Sequence, residues 1–179
     1  PPLGTGHAVR AAESALKDFD GQVVITYGDV PLLKATDIEP VFGPGAGVTV
    51  IGFEARDPGA YGRLVIEGET LTAITEAKEA SAEVLAITAC NSGVMAAPSG
   101  LLFRLLAEVK NENAKGEYYL TDVVELARKA GEPTRAVFAS EDAVMGVNAQ
   151  AELAQAEGLF QKVQRMTYLA AGVTMPSPD

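Results

Sequence analysis

The chain has 179 residues, 47% of them apolar and 21% charged, and a formal charge of −10. This is the make-up of one globular domain, and its acidity excludes a surface built for non-specific binding to nucleic acid or anionic membrane. A single cysteine, Cys90, excludes an internal disulfide framework and fits a reducing cytoplasm.

In chain order, Val9, Ala12, Leu16 and Phe19 recur at helical spacing and predict a helix over 7–19 lying on a sheet. Gln22–Tyr27 is a β-branched run expected as a fully buried strand, followed by Gly28-Asp29 at its carboxyl end. A short helix is expected near Thr36, with Glu39 three residues on at capping-box spacing. The Gly43–Gly47 run breaks the chain, and Val48–Phe53 reads as a second core strand. A loop over 56–63 leads into a hairpin of 63–67 and 70–75. A further strand near 85–97 is interrupted by the polar patch Cys90-Asn91-Ser92-Gly93. Helices are expected from Pro98-Ser99 to about 109 and from Thr121-Asp122 to Gly131. A short strand over 134–139 follows, and then a long amphipathic helix over 149–169, with Leu153, Ala156, Phe160, Val163 and Thr167 along one stripe. Strands alternating with helices argue for an α/β fold. No run is apolar for long enough to span a membrane, and there is no signal-peptide pattern. The start on Pro-Pro-Leu-Gly-Thr-Gly, without an initiator methionine, reads as a fragment.

Open α/β sheets bind ligands at the carboxyl ends of their strands, which draws attention to Asp29. There a carboxylate can hold a hard cation on a phosphate, while Gly28 lets a ligand approach the backbone. A plain turn is the other reading of Gly28-Asp29. Gly4-Thr5-Gly6 before a helix offers backbone N–H groups suited to an anion or the polar edge of a base; it is also an ordinary helix entry. Gly62 either relieves a backbone constraint or lets a sugar lie on the main chain. Glu76 sits at a strand end among other charges, where a solvated turn is the plainer reading. Asn91 interrupts an apolar strand, so its amide needs a partner, either a ligand oxygen or the backbone. Asn148 precedes the last helix, where it could be a simple N-cap.

These segments occur in a distinctive order: Leu3-Gly4-Thr5-Gly6-His7-Ala8, Tyr27-Gly28-Asp29-Val30-Pro31-Leu32, Asp57-Pro58 with Tyr61-Gly62-Arg63, Glu76 with Lys78, Asn91 with Gly93, Gly116 through Asp122, and Gly146-Val147-Asn148. Together they resemble the uridyltransferase domain of the bacterial bifunctional enzyme that makes UDP-N-acetylglucosamine, over nearly the whole chain. The resemblance implies a Rossmann-like nucleotide-diphospho-sugar transferase fold, a mixed and mostly parallel sheet flanked by helices and lacking its N-terminal strands. Residues 1–148 would be a partial nucleotidyltransferase domain. Residues 149–179 would be a linker helix and tail leading to an absent β-helix domain, through which the family is trimeric.

By the same resemblance, Gly4 and Thr5 contact uracil, and Tyr27 and Gly28 line the sugar-nucleotide cleft. Gly62, Glu76 and Asn91 contact the amino sugar and ribose, and Thr121 and Tyr119 lie near the N-acetyl group. Asp29 and Asn148 are the catalytic pair, implied as ligands of Mg2+. The substrates implied are UTP and N-acetylglucosamine 1-phosphate, in the cytoplasm, for cell-wall and lipopolysaccharide precursors. The glycine-rich loop whose arginine and lysine neutralise the triphosphate has no counterpart here, and the glutamine expected before Leu3 is Pro2. The chain alone is therefore expected to be inactive, and the strand 22–27 to be an exposed edge that promotes self-association. Two alternatives are a related thymidylyltransferase and a non-catalytic domain that binds a sugar nucleotide or a partner.

Overall fold

The computed structural model describes residues 3–43, 45, 47–113 and 115–177. Pro2, the position of the expected glutamine, and Pro44 and Ala46 in the glycine-rich break lie outside the described residues.

The most uniformly apolar segment of the chain forms the centre of the sheet. Strand β2 (Val48–Glu54) is buried along all but its last residue, because both of its faces are covered. Val48 and Val50 point into one cluster with Met95, Ala97, Leu102, Leu105, Val123 and Val124. Ile51 and Phe53 point the other way, into a smaller cluster with Val41, Cys90, Val94, Ala96 and Val144. This alternation is the period-two geometry of a strand with apolar residues on both sides. The first cluster lies under α4 (Ser99–Glu108) and α5 (Asp122–Lys129), which supply its leucines and valines at helical spacing. Gly131, with φ 75°, ends α5 in a left-handed turn, as expected of a glycine just past a helix.

The remaining strands are β1 (Gln22–Ile25), β3 (Arg63–Glu67), β4 (Thr70–Thr75), β5 (Ala89–Pro98) and β6 (Thr134–Phe138). Their order is β4-β3-β5-β2-β6, with β1 also paired to β5. The sheet is mixed, but less parallel than expected. Among the described residues β2–β6 is the parallel pair, whereas β5 runs antiparallel to β1, β2 and β3.

Several local expectations are corrected. The helix over 7–19 is two pieces, α1 (Thr5–Arg10) and a 3₁₀ turn (Glu13–Leu16). The Ala11 and Ala12 N–H groups reach back only three residues, to Ala8 and Val9, which tightens and ends the α-helix. Strand β1 is half-buried rather than fully buried, since it pairs with β5 on one side only. Its faces are nonetheless covered: Val23 and Ile25 pack on the larger cluster and Val24 on the smaller. Helix α2 (Ala35–Ile38) starts before Thr36, and the Asp37 carboxylate accepts the Lys34 N–H at 2.9 Å. The strand expected from 85 is first α3 (Ala82–Leu85), capped by the Ser81 hydroxyl, and only then β5. Helix α6 (Gln150–Ala170) buries Ala156, yet Leu153, Phe160 and Val163 stay between 44% and 49% exposed, so the expected stripe is only partly covered.

Candidate functional site

Strand β5 does not run straight. Asn91 is opposite Gly52 and Met95 opposite Val50, so Ser92, Gly93 and Val94 together face the single residue Ile51. This is a bulge, and it bends the strand where the polar patch interrupts its apolar pattern. Gly93 takes φ 88°, a conformation that side chains rarely adopt. The Ser92 hydroxyl spans the gap, donating to the Ile51 carbonyl at 2.6 Å and accepting the Val94 N–H at 3.2 Å. The Asn91 side-chain oxygen accepts the Gly93 N–H at 2.9 Å.

The bulge explains where β1 stops. Ile25–Met95 is its last pair, and Thr26 and Tyr27 leave the sheet. The Tyr27 ring then lies on Gly93, where an added Cβ would stand 2.4 Å from Cε2. Burial raises the Tyr27 phenol above its ordinary range, Asp29 and Glu76 add to this, and a hydrogen bond with the Thr5 side chain opposes it. Tyr27 thus lies within electrostatic reach of both Asp29 and Glu76.

Gly4-Thr5-Gly6 is clasped to the segment before α5. Gly6 N–H donates to the Tyr118 carbonyl, Tyr118 N–H donates to the Leu3 carbonyl, and the Thr5 hydroxyl accepts the Leu120 N–H. Gly4 is the N-cap of α1 at φ 102°, and an added Cβ there would be 2.6 Å from the Tyr118 carbonyl oxygen. On the other flank, Asn91 N–H donates to the Gly62 carbonyl at 2.8 Å. An added Cβ on Gly62 would stand 3.8 Å from that of Asn91.

Glu76 follows β4. Burial raises its carboxyl, Lys115 opposes, and Glu79 adds to the rise. The Tyr119 phenol is raised by burial and then by Glu79, Glu117, Glu76 and Asp122, so these acids share one neighbourhood. Thr121 is half-buried at the start of α5.

Asp29 meets the segment before α6 through its backbone, its carbonyl accepting the Val147 N–H at 2.8 Å. Asn148 is not the cap of α6, because the Glu152 carboxylate accepts both the Asn148 and Ala149 N–H groups. Asp29 and Asn148 are both exposed. Their side chains make no hydrogen bond or ion pair among the described residues. No group of three or more His, Cys, Asp and Glu is gathered for a metal among those residues. A cation here would therefore have sparse protein ligation, one carboxylate and one amide oxygen with open positions for phosphate and water, which is the donor set that suits magnesium.

The structure thus links Thr5, Tyr27, Gly62 and Asn91 to the bulge, with Glu76 and Asp29 both within electrostatic reach of Tyr27 and Asn148 next in the chain to Val147, which bonds the Asp29 carbonyl. Tyr119 joins through the acidic group, whereas Thr121 makes no side-chain hydrogen bond with the others. Two residues were missed from sequence. One is Ser92, whose signal was an Asn-Ser-Gly run inside a strand. The other is Arg63, which is 3% exposed and whose guanidinium donates to the carbonyls of Pro58, Gly59 and Tyr61, fixing the loop before Gly62.

The fold is that of the nucleotide-sugar transferases. The nucleoside-diphosphate-sugar pyrophosphorylase of Vibrio cholerae matches with a TM-score of 0.62 at 15% identity, over 86% of this chain and 64% of that one. A putative glucose-1-phosphate thymidylyltransferase of Bacillus anthracis matches with a TM-score of 0.62 at 17% identity, over 99% and 65%. No family model matches the chain. Relatives named bifunctional protein GlmU match its full length, at 55% identity in Caulobacter vibrioides and 51% in Hyphomonas neptunium. The chain belongs to the GlmU family. It spans 40% of the length of these relatives.

Proposed function

We propose that the chain forms the sugar and metal side of a uridyltransferase site, in which a phosphate oxygen of N-acetylglucosamine 1-phosphate attacks the α-phosphorus of UTP. The α–β phosphoanhydride bond breaks, pyrophosphate leaves, and UDP-N-acetylglucosamine is formed. The observation that supports this reading is the backbone bond from Val147 N–H to the Asp29 carbonyl, which joins the loop after β1 to the residue next to Asn148. Asp29 and Asn148 would hold Mg2+, which when bound supplies charge neutralisation to the phosphates. Gly4 and Thr5 would receive the uracil edge, and Tyr27 and Gly28 would line the cleft. Gly62, Glu76 and Asn91 would contact the sugars, with Tyr119 and Thr121 near the N-acetyl group. Transfer of this kind asks for orientation and electrostatics rather than a covalent nucleophile, which these residue types can provide.

We take residues 1–148 as the nucleotidyltransferase body and 149–179 as a helix-and-tail segment, a division supported by the slight burial of α6. No helix among the described residues is long and apolar enough to cross a membrane. A cytoplasmic setting fits nucleoside triphosphate chemistry. The side of β1 left unpaired among the described residues supports self-association.

Calorimetry with UDP-N-acetylglucosamine and Mg2+ tests the reading. We expect saturable binding that falls at least tenfold in Asp29→Ala, and weaker binding of a thymidine diphosphate sugar. A pyrophosphate-release assay on this chain alone, with UTP, Mg2+ and N-acetylglucosamine 1-phosphate, should give no measurable turnover, since none of the residues assigned to the site is a cation that would neutralise the triphosphate. Absence of saturable binding, or preference for the thymidine nucleotide, would defeat the assignment.

A further inference from the structure

We propose that the Ser92 hydroxyl is a positioning group that fixes the bulge of β5 and so presets the Asn91 amide as a donor to an oxygen of the bound sugar nucleotide, an inference that rests on the function proposed above.

The starting point is the Gly93 N–H. In a regular strand it would point across the sheet towards a neighbour's carbonyl. In the bulge it turns back along its own strand and donates to the Asn91 side chain. A donor at that position can be met only by the amide oxygen, so the two ends of the Asn91 amide are not interchangeable. The oxygen is used internally and the NH2 group is left over, with no hydrogen bond among the described residues. A group of that kind selects an acceptor, such as a hydroxyl or carbonyl oxygen, and offers nothing to an amine.

Asn91 is flanked by residues that leave little bulk around it. A Cβ added to Gly62 would stand 3.3 Å from Ile74 Cγ2 and 3.8 Å from the Asn91 Cβ, so glycine keeps that flank of Asn91 clear, and the Tyr27 ring lies on Gly93 two residues along the strand. The Tyr27 contact depends on the place of Gly93 in the bulge, and the bulge depends on a hydroxyl that donates and accepts at once. Ser92 donates to Ile51 on β2 and accepts from Val94 on its own strand. Only serine or threonine can do both from this short side chain. With alanine at 92, the Ile51 carbonyl and the Val94 N–H lose that shared partner, and the register of residues 92–94 is no longer pinned. Asn91 contacts the ligand in this scheme, and Ser92 acts through it.

The experiment is amide hydrogen exchange on the unliganded chain, followed by calorimetry with UDP-N-acetylglucosamine. In Ser92→Ala the Gly93 and Val94 amides should lose about tenfold in protection, as suits one net hydrogen bond, while the Ala96 amide is unchanged. Affinity should fall about tenfold. Ser92→Thr, which keeps the hydroxyl, should retain both protection and affinity. Unchanged Gly93 protection in Ser92→Ala, or its loss in Ser92→Thr, overturns the proposal, and the threonine arm decides even if the alanine variant fails to fold. Exchange needs no ligand, so a wild-type chain that fails to bind the nucleotide sugar defeats the functional reading while the bulge is still judged by Gly93.

Discussion

At the scale of single residues, burial holds the Glu76 carboxyl above its usual range. Between its ordinary value and its native one, the unfolded chain binds fewer protons than the folded chain. Stability therefore falls as pH rises through that window, and below it Glu76 has no effect. Glu76→Gln should raise the melting temperature at pH 7 by about 1–2 °C, a small gain because the carboxylate is partly screened by solvent. The gain should vanish at about pH 3, more than a unit below the ordinary glutamate value, where both states are protonated. Thermal melts at the two pH values check this, and a gain that persists in acid would mean another cause. The same substitution should weaken nucleotide-sugar binding, setting stability against function at one position. Asn91 drew attention in the sequence as a polar residue inside an apolar strand and Asp29 as a carboxylate just past one, whereas Glu76 by itself read as a solvated turn and entered only through the family resemblance. Ser92 and Arg63 were not, because their partners are carbonyls and N–H groups that no pattern of side chains reveals.

At the scale of elements, the strands and the larger helices followed from hydrophobic periodicity, and their ends did not. The buried β2 and the β3–β4 hairpin could be read because a continuous apolar run and the Gly68-Glu69 turn are local signals. The break of α1, the late start of β5 and the half-buried state of β1 depend on which strand lies beside which. The polar patch was visible as an interruption, but its form as a bulge needs the register against β2. Gly93→Ala tests how firmly that form is held. An alanine at φ 88° costs roughly 1–2 kcal/mol in backbone strain alone, and its Cβ would also displace the Tyr27 ring. Denaturant unfolding should show at least that loss, and the near-ultraviolet circular dichroism of Tyr27 should change. A variant with wild-type stability would show that the bulge relaxes freely.

At the scale of the whole molecule, β1 is paired on one side only among the described residues, and Val23, Val24 and Ile25 carry no charge or proline to block pairing on the other. Sedimentation from low to high micromolar concentration should show reversible self-association, reduced by Val24→Lys. A monomer throughout that range would mean that the bend of β1 towards Tyr27 is protection enough. Strand β5 has a different consequence, in the timing of synthesis. The β3–β4 hairpin is the one pairing among the described residues between consecutive strands. Gln22 pairs with Pro98, and Val50 with Met95 and Ala136, so β1 and β2 remain without their β5 partner until residues 89–98 have left the ribosome. Through all of that interval the most apolar strands of the chain are bare, and the closing of the sheet is a late, concerted event that depends on a single ten-residue segment.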